Sequence, residues 1–120
     1  MATTSTPYSR RDERHTLPRE LNARIEFDFP AGKRWRLDLL DLSIAGLAFA
    51  LDQGRPLMEA GSRLSDVRVH VGDDVVDGDL VVLHVTRDAE RRTICGALFH
   101  PSSQDQADRM HRVIERVTAD

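Results

Sequence analysis

A two-residue alternation of apolar and charged side chains, beginning at residue 23, constrains the fold more than any other feature. Residues 23–29 read ARIEFDF, with every second side chain apolar. This period predicts a strand that buries one face. Residues 30–33 (PAGK) predict a turn, and the alternation resumes in residues 34–39 (RWRLDL). We therefore expect the two strands to pair as an antiparallel hairpin.

Four further apolar runs, separated by turn-forming residues, predict four more short strands. These are Gly46–Leu51, a run containing Leu64, Val67, Val69 and Val71, a run centred on Leu80–Val85, and Thr93–Phe99. Six short strands with turns between them favour an antiparallel sandwich or barrel.

The C-terminal segment has a different period and predicts a helix. Its apolar residues recur at intervals of three and four: Ala107, Met110, Val113/Ile114 and Val117. Ser103 and Gln106 have the spacing of a capping box. The simplest role for the apolar stripe is to dock the helix on the β-domain, and contact with a partner protein is the alternative.

The chain has the length of one ordinary domain, at 120 residues. Residues 1–9 are rich in Ser and Thr and predict a flexible leader, and residues 10–120 are expected to form the domain. The N-terminus lacks the pattern of a secretory signal. No apolar stretch approaches the roughly 18 residues of a membrane span. We therefore expect a cytoplasmic protein without membrane insertion.

The charge is unevenly distributed, which bears on the kind of partner. The net charge is −3, but residues 1–24 hold five arginines against three acidic residues. An acidic body argues against binding to polymeric nucleic acid. A basic end suits a small anionic partner better.

The sequence offers little for catalysis or for a metal site. Cys95 lies in an apolar run and is expected to be a buried, inert thiol. The five histidines are scattered without metal-binding spacing. The residues around Ser43 do not form the nucleophile elbow of hydrolases. We expect neither an enzyme nor a metal site, and no cofactor.

Two local patterns are not explained by the predicted strands and helix alone. One is the charged segment 9–15 (SRRDERH), in which Arg10 and Arg14 are four residues apart. The other is Asp41, Ser43 and Gly46 at the end of the second predicted strand. In an extended chain Asp41 and Ser43 would share one face, and the apolar residues at 42 and 44 would face the core.

These residue types suit a guanine nucleotide. Arginine can pair bidentately with the O6/N7 edge of guanine or with phosphate, and it can stack on a base. A carboxylate such as that of Asp41 can accept from guanine N1–H and the amino group, and a hydroxyl such as that of Ser43 can bridge phosphate or base.

The two patterns together resemble the PilZ domain family. Arg10 and Arg14 match its RxxxR motif, and Asp41, Ser43 and Gly46 match its D/NxSxxG motif, in the same order and with 26 residues between them. The resemblance covers roughly residues 9–118. It implies a six-stranded antiparallel β-barrel with a C-terminal helix that binds cyclic di-GMP on its outer surface.

The resemblance also implies a role for each position. Arg10 and Arg14 would clamp the ligand, with Arg11 as a weaker candidate for a phosphate contact. Asp41, Ser43 and Gly46 would form the other wall. The implied function is a cyclic di-GMP sensor or adaptor that changes conformation and signals to an effector protein in motility, biofilm or virulence control.

Simpler interpretations stay open at this point. The arginine segment could be a solvated charged run, and Asp41 and Ser43 could satisfy backbone groups of a turn. The domain could instead be a ligand-independent interaction module in pilus or motility assembly.

Overall fold

The computed structural model describes residues 15–18, 21–29, 32–44, 46–51, 58–87, 89–90 and 92–117. The predicted leader, residues 1–9, and the three candidate arginines, Arg10, Arg11 and Arg14, lie outside the described residues. The elements are β1 (His15–Thr16), β2 (Arg24–Asp28), β3 (Arg34–Leu42), β4 (Gly46–Leu51), β5 (Arg63–Val71), β6 (Asp74–Arg87), β7 (Thr93–Pro101) and α1 (Gln104–Val117).

Within these ranges the six longer strands close into an antiparallel barrel. Their hydrogen-bonded order is β3-β2-β5-β6-β7-β4, and a further pairing of β3 with β4 closes the ring. The short strand β1 pairs with β3 beyond the part of β3 that β2 occupies. The predicted fold class, a six-stranded antiparallel barrel with a C-terminal helix, is confirmed.

The apolar residues of the alternation that predicts the first hairpin also fill the interior of the barrel. In β2, Ile25 and Phe27 are completely buried, and the charged residues that alternate with them face outward. The ring of Phe27 meets that of Phe49 on β4 edge-on, with centroids 5.8 Å apart. The hairpin register pairs Ile25 with Leu37, as the sequence pattern requires.

The fourth predicted strand contains an irregularity whose trace is visible in the sequence. Leu64 and Val67 are both core residues although they are three positions apart. The structure reconciles them through a bulge in the pairing of β5 with β6, where Asp66 adopts a φ of 56°. The extra residue restores the period of two for the rest of β5.

The strand β6 is longer than the sequence suggests. The apolar run Leu80–Val85 marks its middle, but the strand extends from Asp74 to Arg87. Its first half pairs with β5, and it pairs with β7 from Gly78 onward. The sequence pattern does not indicate the first half of β6, because residues 77–79 (DGD) interrupt the apolar run. Two of these three residues are exposed on the outer face.

The helix α1 docks on the barrel through Met110, Val113 and Ile114, which confirms the predicted docking role. Ser103 caps it, since its Oγ accepts a hydrogen bond from the Gln106 backbone N–H at 3.2 Å. The Gln106 side chain does not serve in a capping box as predicted. Its Oε1 accepts from the Asp77 backbone N–H at 2.8 Å, which ties the helix to β6.

Candidate functional site

The short strand β1 is positioned by its pairing with the end of β3. Thr16 lies opposite Asp41 and His15 opposite Leu42. The Leu17 N–H then donates to the Leu40 carbonyl at 3.0 Å, and the Leu17 side chain is buried. Residues 15–17, which directly follow Arg14, therefore run alongside the end of β3 that carries Asp41.

Asp41 occupies its position because of an irregularity in β3. Leu39 pairs with Phe49 on β4, and the next pair is Asp41 with Ala48, so that Leu40 is bulged out of the register. A regular ladder would have placed Leu40 opposite Ala48. Asp41 is half-buried, and Leu42, its neighbour, points into the core with 1% exposure.

Ser43 lies beyond the end of β3 and organises the turn into β4. It is 5% exposed. Its Oγ accepts from the Gly46 N–H at 3.1 Å and lies 3.1 Å from the Gly46 carbonyl oxygen, to which it can donate. The Ser43 N–H also donates to that carbonyl at 2.8 Å. The turn interpretation of Ser43 is thus confirmed as one of its roles.

The D/NxSxxG segment is therefore a single compact unit at one end of the barrel. It brings together Asp41 on β3, Ser43 in the turn and Gly46 as the first residue of β4. Leu42 and Ile44 face or pack on the core, as the sequence predicts. The roles of these residues toward a ligand remain predictions, as do those of Arg10, Arg11 and Arg14.

A second polar constellation lies on a different wall and was not singled out from the sequence. Glu26 accepts from Arg34 Nε at 3.1 Å and lies 2.9 Å from His70 Nε2, with Arg36 at 3.8 Å. The hydrogen bond with His70 lowers the pKa of Glu26, and the two arginines act in the same direction, whereas partial burial opposes them. These strand-to-strand pairs stabilise the barrel wall.

A prominent groove on the barrel does not coincide with the motif. It measures about 580 Å³ and is lined by five carboxylates and two arginines, together with Gly78 and Ser102. The carboxylates are those of Glu26, Asp28, Asp66, Asp77 and Asp79. Such an acidic groove repels an anionic ligand, so we place the candidate site at the D/NxSxxG segment.

In the part of the chain that the structure describes, no three His, Cys, Asp or Glu side chains are grouped to hold a metal ion. Within the same ranges, no helix has the length and apolar character that a membrane span needs.

A closed antiparallel barrel that carries a D/NxSxxG turn, with an arginine segment leading into the strand beside it, defines a PilZ-type domain. The family model described as "PilZ domain" matches residues 8–116. The chain belongs to the PilZ domain family.

Solved structures show the same fold. The complex of K. pneumonia MrkH with c-di-GMP superposes with a TM-score of 0.82 at 18% identity, covering 93% of this chain and 53% of that chain. The c-di-GMP-bound PilZ domain of YcgR from Escherichia coli gives 0.76 at 19% identity and covers 93% of both chains. The Bacillus subtilis inhibitor of motility, MotI/DgrA, gives 0.64 at 15% identity, with 78% and 46% covered.

This chain spans about half the length of the MrkH chain. At these identities the likeness establishes the shared fold. No curated protein matches the sequence.

Proposed function

We propose that this PilZ domain binds cyclic di-GMP and acts as a sensor or adaptor module. The observation that carries the proposal is the pairing of β1 with β3, which sets Thr16 opposite Asp41. Arg14 directly precedes β1 in the sequence, which supports a site to which both motifs contribute. Two of the similar structures, of MrkH and of the YcgR domain, contain c-di-GMP, which supports the same ligand.

In this proposal the two motifs divide the recognition of the ligand. Asp41 accepts from guanine N1–H and the amino group, the edge that a carboxylate complements. Arg10 and Arg14 contact phosphate or the O6/N7 edge of guanine, and Arg11 adds a phosphate contact. Ser43 and Gly46 act first by shaping the turn, since the Ser43 hydroxyl is engaged with the Gly46 backbone.

The experiment is a calorimetric titration of the chain with cyclic di-GMP, with cyclic di-AMP as the specificity control. We expect micromolar or tighter affinity that weakens with added salt, because several arginines meet a ligand with two phosphates. Arg14→Ala and Asp41→Ala should each lose most of the affinity. No measurable binding by the wild-type chain would refute the proposal.

Two variants with matched charge changes serve as controls. Arg112→Ala removes an exposed arginine on α1, and Asp73→Ala removes an exposed carboxylate in the turn between β5 and β6. Both should bind like the wild type. Equal losses in the control and site variants would indicate a general electrostatic effect and contradict the assignment.

The signalling step is proposed as a change in the arginine segment. A ligand that bridges Arg10 and Arg14 to Asp41 fixes this segment against β3 and presents a new surface to an effector protein. Cleavage by trypsin after residues 10, 11 and 14 should then slow on addition of cyclic di-GMP. Cleavage at an unchanged rate in a ligand-saturated sample would argue against the ordering.

A further inference from the structure

A short stretch of chain, residues 15–17, joins the arginine segment to the barrel, and we call it the anchor segment. Thr16 is exposed and lies opposite Asp41, whereas Leu17 is buried, with 8% of its surface exposed. The anchor segment therefore follows the alternation of a barrel strand, with one side chain outward and the next in the core. Among the described residues, Leu17 is the first in the chain whose side chain joins the hydrophobic core.

The anchor segment takes over from β2 as the neighbour of β3 beside the motif. The strand β2 pairs with β3 only as far as Asp38. Farther along β3, the Leu40 carbonyl accepts from the Leu17 N–H at 3.0 Å, and Asp41 pairs with Thr16. A strand as short as β1 makes too few hydrogen bonds to stay paired by itself, because water competes for the same groups. A side chain must therefore help to hold it.

Leu17 is the side chain that can do this. Thr16 and Pro18, its two neighbours, are both exposed, so Leu17 supplies the apolar contact of this part of the chain. Leu17 also lines a groove of about 370 Å³ that extends to Leu39 and Leu40. A shorter side chain at residue 17 would let water from this groove reach the contact with the core. The attachment of the anchor segment therefore depends on the size of this one side chain.

The position of Leu17 limits how far the arginines can move from the candidate site. Arg14 is three residues from Leu17, a span of at most about 11 Å. Without this anchor, the next described attachment is Leu21, seven residues from Arg14, whose carbonyl accepts from the Gly72 N–H at 3.3 Å. The effective concentration of a tethered group falls as about the −3/2 power of the tether length. It therefore drops roughly fourfold for Arg14 and roughly twofold for Arg10.

We propose that Leu17 is a positioning residue for the ligand: its side chain, held in the core, fixes the base of the arginine segment beside Asp41. Arg14 then meets the ligand from a tether that folding has already shortened, and this preorganisation raises the affinity. The inference rests on the proposed function, because it concerns how the same cyclic dinucleotide is held. It adds a residue that lies outside both motifs and acts through the arginines.

Calorimetry with cyclic di-GMP on variants of Leu17 tests this role. Leu17→Ala should raise the Kd about five- to tenfold, through the combined loss of effective concentration at both arginines. Leu17→Met nearly conserves the volume and should bind within about twofold of the wild type. The control Val76→Ala shortens a core side chain on β6, a strand that pairs with neither β1 nor β3. It should lower the Tm and leave the Kd unchanged at temperatures where every variant is folded.

A double-mutant cycle with Arg14 separates positioning from a general loss of stability. Because Leu17 acts through the arginines, Leu17→Ala should cost at most about twofold in an Arg14→Ala background, the share that Arg10 carries. A general weakening of the domain would instead lower the affinity by the same factor in both backgrounds. Additive losses in the cycle would therefore overturn the positioning role.

Proteolysis by trypsin gives a second readout, which needs no ligand. Residues 15–17, directly after the bond that trypsin cuts at Arg14, are held against β3 and must open locally before cleavage. Leu17→Ala should therefore speed cleavage after Arg14 more than cleavage after Arg10, as followed by mass spectrometry. Unchanged rates in Leu17→Ala would show that the side chain does not hold the anchor segment, and would overturn the inference.

The outcomes distinguish this inference from the proposed function. No binding by the wild-type chain overturns both. Binding that is lost in Arg14→Ala but unchanged in Leu17→Ala overturns only the role of Leu17. The same holds if Val76→Ala weakens binding as much as Leu17→Ala, because the effect would then follow from stability alone.

Discussion

The Ser43 hydroxyl helps to hold the turn that joins β3 to β4, and its removal has a calculable cost. In Ser43→Ala, the Gly46 carbonyl keeps the bond from the Ser43 backbone N–H at 2.8 Å. The Gly46 N–H, in contrast, loses the acceptor that the hydroxyl supplies at 3.1 Å. Loss of a partner by a buried donor costs about 1–3 kcal/mol. For a domain of 120 residues, each kcal/mol lowers the Tm by roughly 4 °C.

Urea denaturation followed by circular dichroism measures this loss. The matched control is Ser62→Ala, whose hydroxyl accepts one hydrogen bond from the Glu59 N–H at 3.2 Å in an exposed turn. A surface change of this kind alters stability by no more than about 0.5 kcal/mol. If Ser43→Ala were as stable as Ser62→Ala, the turn would not depend on the hydroxyl, and our account of Ser43 would be wrong.

Asp41→Ala complements this experiment, because substitutions at these two motif residues should affect stability and affinity differently. Asp41 is half-buried at the outer face, and we propose that it contacts the ligand. Its replacement should lower the affinity for cyclic di-GMP. Ser43→Ala should lower both stability and affinity, since a displaced turn also moves Asp41. Affinity lost without any change in stability in Ser43→Ala would instead indicate a direct ligand contact.

Three further predictions concern the barrel. The pKa of Glu26 is lowered chiefly by its hydrogen bond with His70, so the ionised carboxylate stabilises the fold above pH 4.5 and this contribution is lost as the pH falls through the depressed pKa. Glu26→Gln should therefore unfold about 1–3 kcal/mol more easily near neutral pH and like the wild type in acid; a constant difference in urea titrations across this range would contradict this. Gly78→Ala should lower stability by at least about 1–3 kcal/mol in the same assay, because its methyl group would meet the backbone carbonyl of His100; a wild-type midpoint would refute this. Burial raises the pKa of Cys95 to about 11, so a thiol reagent should label it only on unfolding; rapid labelling of the native protein would show that the thiol is accessible.

Much of the fold was accessible from local patterns. The alternation around Ile25 and Phe27 predicts a strand and its buried face, because side chains of a strand point alternately to the two sides of a sheet. The turn at residues 30–33 fixes the first hairpin. The helical period around Met110 predicts α1 and its docked face. In each case the residues that carry the signal lie close together in the chain.

The candidate site was only partly accessible. The motif resemblance singles out Asp41, Ser43 and Gly46, but it does not reveal that the Ser43 hydroxyl is engaged within the turn. It also does not reveal that Leu40 is bulged out of the register of β3, which sets Asp41 opposite Ala48. The spacing of residues in β3 carries no sign of which residues pair with them from other strands.

The sequence by itself determined which segments become strands, which faces they bury and where the two motifs lie. Only the tertiary structure decided which residues share a row on the outer wall. That choice depends on the bulges at Leu40 and Leu83, since each shifts the register by one residue and exchanges the face that every following side chain occupies. Register is a property of paired strands. It therefore sets Asp41 opposite Ala48 and His84 opposite Gly96 only when the strands pair.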